Sequence, residues 1–313
     1  MRRMLRSLPG RNAIEPDMSR FDYAEPATLD EAVELLRRAE GRATVLAGGT
    51  DLLVQIREHV RSPATVVNIK KILGIDQLDF DPASGLVIGA LTTTRAVESS
   101  PVVQRHYAGL HTAVVHFASI QVRNRATVVG NVCRASPSAD TLPPLIADGA
   151  TVRVRGVEGT REVALDGFCT APGRTVLAPG EIATHLLVPA PAPRTGKVYI
   201  KHGRRTEMEL ATVGVAATLT LGADGRCADV RIVLAAVAPT PLRAVAAEAV
   251  LRGRQPSAEA FAAAAAAAAA EARPIGDVRG SADYRREMVG VLVGRALDTA
   301  LQRARQNPTG EAR

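Results

Sequence analysis

The stretch TVLAGGTDLLVQ, residues 44–55, decides how the rest of the chain is read. Thr44, Val45 and Leu46 have the β-branched and apolar character of a buried strand. Gly48 and Gly49 end that strand with a backbone freedom that no side chain permits. An apolar strand that runs into bare main chain and then into Thr50 and Asp51 leaves peptide N–H groups uncovered. Something is expected to lie against them.

Upstream, ATLDEAVELLRRAEG (residues 27–41) predicts a helix: Thr28 as N-cap, Glu31 at the third helical position, apolar Ala32, Val33, Leu35 and Leu36, and Gly41 as the stop. The first unit is therefore helix, strand, glycine turn, followed by DLLVQIRE as a short helical or extended piece. Residues 65–72 and 86–90 read as further strands, Thr92 or Thr93 is placed to cap the next helix, and a longer helix is expected over residues 107–119.

The second informative segment is VRNRATVVGNVCRASPSADTLPPLIADGATVRV, residues 122–154. Its pattern predicts a strand leaving through Gly130 and Asn131 into a polar loop, then a short helix and the strand TVRV. Long connections of this kind usually carry function. Two glycine turns, each leaving a β-branched strand, would present an anion-binding nest of N–H groups if they converged, suited to a pyrophosphate. There is no G-x-G-x-x-G after a strand, no G-x-x-x-x-G-K-[ST] and no H-E-x-x-H, which disfavours Rossmann, P-loop and zincin sites. On the residues alone, the reading is a dinucleotide held by main chain.

Composition narrows the rest. A chain of 313 residues with 46% hydrophobic content can bury a sizeable core, and its length favours two domains. The net charge of +7 comes from arginines interleaved with acids, and aromatic residues make up 3%, so solvated basic faces are expected rather than a nucleic-acid stripe. No apolar run reaches the roughly 18 residues of a membrane span. Cys133, Cys169 and Cys227 are too far apart for a C-x-x-C motif, and an odd number argues against a disulfide framework; free thiols in a reducing cytoplasm are expected. Residues 1–17 carry Arg2, Arg3, Arg6 and Arg11 without a signal-peptide core, and read as a disordered extension with Met18 as an alternative start. A Pro-rich break at residues 188–197 separates the halves. Beyond it come two long strands and three helices, at 244–252, 258–272 and 282–302, so the fold class is α+β.

AGGTDL at residues 47–52, together with TVVGNVCRASPSADTLPPL at 127–145, resembles the FAD-binding subunits of the molybdenum hydroxylases. These include the medium subunit of aerobic carbon monoxide dehydrogenase and the flavin domain of xanthine dehydrogenase. The likeness continues in YIKHGRRTEMELATVGVAA (199–217), VLAAVAPTPLRA (233–244) and DVRGSADYRREMVGVLVGRAL (277–297). It implies a two-lobed FAD-binding domain at 18–190, with lobes of about 18–73 and 74–190, a smaller α+β C-terminal domain at 196–305, and a tail at 306–313. It also implies FAD as the cofactor, and a relay from a 2Fe-2S small subunit that drains a molybdopterin-binding large subunit, in a cytoplasmic dimer of heterotrimers. With no cysteine spacing for a cluster in this chain, those centres would sit in the other subunits.

By resemblance, Leu46, Ala47, Gly48, Gly49, Thr50, Asp51 and Leu52 form the first pyrophosphate turn, and Thr127, Gly130 and Asn131 the second. Ser136 and Asp140 fall at polar contacts to the cofactor, Lys201 matches a lysine near the flavin, and Tyr199 is expected beside the isoalloxazine edge. No catalytic acid or base and no metal ligand is assigned. One departure stands out: the family has two glycines before the asparagine, and here Val129 precedes Gly130. If that position needs φ > 0, valine is strained there by about 1–2 kcal/mol. Strain of that kind keeps open a scaffold subunit that has lost FAD, beside the alternative of a free-standing FAD-dependent reductase.

Other polar clusters carry less. His106, His111 and His116 recur every five residues and cannot share a helical face as ligands. No G-x-S-x-G elbow supports a hydrolase built on Ser136. Asp277, Arg279, Tyr284 and Arg285 read as a helix entrance with subunit-contact charges.

Overall fold

The computed structural model describes residues 20–205 and 208–307, so the extension expected at residues 1–17 and nearly all of the expected tail lie outside the described residues. The first lobe runs β1 (Asp22–Ala24), α1 (Leu29–Arg38), β2 (Ala43–Leu46), α2 (Leu52–Arg57) and β3 (Thr65–Asn68). Its sheet is parallel, in the order β1-β3-β2. Helix α1 starts where Thr28 Oγ1 accepts the Glu31 N–H at 3.2 Å, while Glu31 Oε2 reaches back to the Ala27 N–H at 2.7 Å. Its acidic first turn and basic last turn suit the helix dipole, and its buried stripe is Ala32, Val33 and Leu36.

The second lobe opens with the hairpin β4 (Leu78–Asp81) and β5 (Gly85–Gly89). Six short helices follow: α3 (Thr94–Ser99), α4 (Pro101–His106), α5 (Ala108–Val115), α6 (Ile120–Arg123), α7 (Val128–Arg134) and α8 (Leu142–Ala147). The chain then makes β6 (Thr151–Gly156), β7 (Gly159–Ala164), the small hairpin β8 (Cys169–Ala171) and β9 (Arg174–Thr175), and finally β10 (Ile182–Val188). Strand β10 inserts antiparallel between β5 and β6, in the order β4-β5-β10-β6-β7. Capping follows the sequence at Thr93, whose side chain accepts the Ala96 N–H at 3.1 Å. The helix expected over residues 107–119 is shorter, because buried Tyr107 sits in a non-helical joint between α4 and α5 and Ala118 turns left-handed at φ 47°.

The larger correction falls at residues 122–131. They run from the end of α6 through a short turn at residues 124–127 into α7, where a strand was expected. Valines 128, 129 and 132 are all buried against the lobe's core, and that burial outweighs the weak helix propensity of a β-branched residue.

The C-terminal domain is an antiparallel sheet of β11 (Thr195–His202), β12 (Val213–Leu221), β13 (Cys227–Ala235) and β14 (Leu242–Arg243), with α9 (Val245–Leu251), α10 (Ala258–Glu271) and α11 (Ala282–Gln306). Both faces of this sheet are buried. Val198, Val213, Val215, Leu219 and Ile232 pack with α10 and α11, whereas Tyr199, Ala216 and Val233 join the second lobe's core. Two-sided burial explains why β12 and β13 read as near-continuous apolar runs. Irregular chain between β10 and β11 is confined to residues 189–194, so the Pro-rich break is a short crossing beside a packed interface. Among the described residues no helix is long and apolar enough to cross a membrane.

Arg285 is not a subunit-contact charge. It is 3% exposed and donates to Thr212 O, Ala236 O and Asp277 Oδ1, pinning the entrance of α11 to the ends of β12 and β13.

Candidate functional site

A cleft of about 880 Å³ lies between the lobes and reaches the C-terminal domain, toward the upper end of the ~300–1,000 Å³ usual for ligand pockets. Its floor is made where β2 and α7 meet. At Gly48 a Cβ would stand 2.2 Å from Arg125 O and 3.0 Å from Ala126 Cα, so only glycine lets the first turn close on the segment leading into α7. Gly49 is required for a different reason, a left-handed φ of 79°. Ala47, Gly48, Gly49, Thr50, Asp51 and Leu52 all line the cleft. Leu46 does not; it is buried, and its Cδ1 packs beneath Gly49.

Thr127 is the N-cap of α7: its Oγ1 accepts the Gly130 N–H at 3.0 Å, and a Cβ on Gly130 would press on that oxygen at 2.7 Å. The segment before it is held by Thr94, which takes Ala126 O on its N–H at 2.8 Å and donates its hydroxyl to Arg123 O at 3.0 Å. Asn131 faces the cleft with its Oδ1 fixed by the Thr141 hydroxyl at 2.6 Å. Thr127, Gly130 and Asn131 therefore line the cleft as the first turn of a right-handed helix. Val129 has helical backbone and is 2% exposed, so it carries no left-handed strain. The physical ground for a subunit that has lost FAD is removed.

A second strap joins the two loops. Arg134 of α7 pairs with Asp51 at 2.6 Å, and Gln55 also donates to that carboxylate. The pair neutralises the acidic side chain nearest the first turn. Bare main chain, small side chains and a compensated carboxylate fit a diphosphate, which a free carboxylate would repel.

Ser136 and Asp140 line the wall after the left-handed turn at Ala135. Ser136 Oγ accepts the Ser138 N–H at 3.3 Å. Asp140 is 5% exposed, and Tyr199 and Lys201 reach it from behind, each at 2.8 Å. Neither lines the cleft: Tyr199, expected at the flavin edge, is 2% exposed and sealed between the sheet and the second lobe. Its position on β11 sends its side chain into that interface together with those of Lys197 and Lys201, since alternate strand residues share a face. Burial pushes the Asp140 carboxyl up while Lys201 pulls it down, and burial beside Asp140 raises the Tyr199 phenol well above its usual range. Cys133, also on the cleft, is pushed up to about 12 by burial and stays a protonated, small apolar residue.

Three parts of the lining were not anticipated. Leu177, Ala178, Gly180 and Glu181 line the cleft from the segment leading into β10, with Gly180 leaning on α1 at Arg37. Phe117 and Ala118 follow α5, and Met208, Glu209 and Leu210 come from the connection between β11 and β12. The Pro179-Gly180 turn before β10 was the one local signal available. The others depend on tertiary contacts, such as the ion pair of Glu209 with Arg279 at 3.6 Å.

Family models match along nearly the whole chain: the FAD binding domain in molybdopterin dehydrogenase over residues 19–191, and the CO dehydrogenase flavoprotein C-terminal domain over 198–300. The chain is 36% identical over 284 residues to the carbon monoxide dehydrogenase medium chain of Hydrogenophaga pseudoflava, covering 91% of this chain and 98% of that one. It is 30% identical over 290 residues to the xanthine dehydrogenase FAD-binding subunit of Escherichia coli O157:H7, again covering 91% and 98%. Among solved structures it matches a chain of carbon monoxide dehydrogenase from Hydrogenophaga pseudoflava which lacks the Mo-pyranopterin moiety of the molybdenum cofactor. That match has a TM-score of 0.87 and 38% identity, covering 91% of this chain and 98% of that chain. Quinoline 2-oxidoreductase from Pseudomonas putida 86 matches with a TM-score of 0.85 at 27% identity, covering 92% and 99%.

Proposed function

The chain belongs to the FAD-binding medium subunits of the xanthine dehydrogenase and CO dehydrogenase family, and from that premise we propose that it is the electron-relay subunit of a molybdenum-containing hydroxylase. It is an oxidoreductase subunit with FAD as its cofactor. When bound, FAD supplies a ring that takes up and gives back electrons; the protein binds it, orients it and excludes water around it. In this reading Ala47, Gly48, Gly49, Thr50, Asp51 and Leu52, with Thr127, Gly130 and Asn131, hold the diphosphate, and Ser136 and Asp140 supply polar contacts. Electrons arrive from a 2Fe-2S small subunit fed by a molybdopterin-binding large subunit, and leave to an external acceptor. The assembly is a cytoplasmic dimer of heterotrimers, and within this chain residues 18–190 bind FAD while 196–305 form the second domain.

The observation that carries the reading is the closure of the Gly48 turn on the Arg125–Ala126 main chain, which brings both glycine-bearing segments to one cleft. Among the described residues the carboxylates lining that cleft, Asp51, Asp140, Glu181 and Glu209, are each tied to a cation, which does not suit acid–base chemistry on an organic substrate. Purification of the native protein, with subunit identification and assay of FAD, iron and molybdenum, tests it. The expected result is a three-subunit complex with FAD in this chain. Recovery of a fully active homo-oligomer containing flavin alone would favour the free-standing reductase.

A further inference from the structure

Asp140 lines the cleft, yet both of its oxygens are engaged from the opposite domain. Tyr199 donates to Oδ1 and Lys201 to Oδ2, and Lys201 is fixed in turn on His116 O at 3.1 Å. The Lys201 and Asp140 side chains are each 7% exposed. A buried carboxylate–ammonium pair is a poor way to join two domains, because apolar residues of similar volume often do as well or better. Each carboxylate oxygen still has a lone pair for a donor in the cleft.

We propose that Lys201 and Tyr199 are positioning residues that hold Asp140 ionised and oriented as a hydrogen-bond acceptor for FAD, so that the C-terminal domain sets FAD affinity through a residue of the FAD-binding domain. This rests on the reading of the cleft as the FAD site. Strand β11 delivers both groups because residues two apart share a face. His116, at the end of α5, is the other titratable group whose charge reaches Asp140. Burial drives Asp140 toward its neutral form, and Lys201 is the largest influence opposing it. Without the lysine, Asp140 takes up a proton at higher pH, and an acceptor required in its ionised form is lost as pH falls.

The test is FAD titration of the full chain freed of cofactor, followed by flavin fluorescence between pH 6 and 8. Wild-type affinity should change little over that range. Affinity of Lys201→Met should fall with falling pH by up to about tenfold per unit, the limit for one linked proton, while Lys201→Arg keeps the wild-type profile. Asp140→Asn should bind more weakly with no such pH dependence. A folded Lys201→Met with the wild-type profile, or a folded Asp140→Asn with wild-type affinity, overturns the proposal. Should Lys201→Met fail to fold, Tyr199→Phe, which keeps the ion pair, decides: weaker FAD binding with wild-type circular dichroism supports the proposal, and unchanged affinity overturns it. Failure of the underlying reading looks different, since a folded Gly49→Asp, altered on the opposite segment of the same cleft, would then also bind FAD as tightly as wild type.

Discussion

Residues 46–52 and residues 127–134 deliver main chain to the same cleft by different means. The first is a turn between a strand and a helix, and it works because Gly48 can touch neighbouring backbone and Gly49 can turn left-handed. The second is a helix start, ordinary in backbone, whose glycine leaves room for the Thr127 cap. Similar glycine-containing sequence therefore carries two constraints: contact and dihedral in one segment, capping and core burial in the other. Substitutions that separate these constraints test whether the distinction holds.

The largest effect is expected at Gly48. In Gly48→Val the added carbons meet Arg125 O, an atom that cannot step aside without moving the chain before α7. Overpacking of this kind costs about 3 kcal/mol. Urea denaturation should register the loss, and a stability equal to wild type would show that the two segments do not close on one another.

Val129→Gly sharpens the contrast next. Were the second segment a left-handed turn, this change would relax strain and tighten FAD. In a helix with Val129 buried, it instead removes core contacts and places glycine in the first turn, a loss of about 2–3 kcal/mol. Denaturation midpoints of the two proteins decide the sign, and a stabilised variant would restore the turn.

Thr127→Val should cost about 1 kcal/mol through the lost cap, with Thr127→Ser close to wild type. Equal stability of all three proteins would mean that the hydroxyl is not capping α7.

These contrasts explain what was legible in the sequence. Helix α1 was plain because its cap, stripe and stop agree, and β12 and β13 because two-sided burial leaves long apolar runs. The first glycine turn was legible from chemistry confined to six consecutive residues. Helix α7 was misread because three valines resemble a strand, and only the core they pack against identifies them as helical. Tyr199 was placed at the cleft for a related reason: resemblance locates a residue along the chain, whereas the face of β11 on which it stands follows from the pairing of that strand with β12. The wall at Leu210 is brought to the cleft by the crossing from β11 to β12 and had no local signature.

The central claim is that a diphosphate lies against the turn at Gly49, and the most direct test compares Gly49→Asp with Gly49→Asn. Both side chains tolerate left-handed backbone and have nearly the same shape, so steric pressure on Leu46 is common to the two and only the charge differs. FAD titration of both variants, with circular dichroism to confirm folding, should show Gly49→Asp binding at least about tenfold more weakly than Gly49→Asn, because a carboxylate added to the turn that holds a diphosphate repels it from within a few ångström, whichever way the side chain leans. Equal dissociation constants for the two folded variants would place the diphosphate elsewhere and contradict the account.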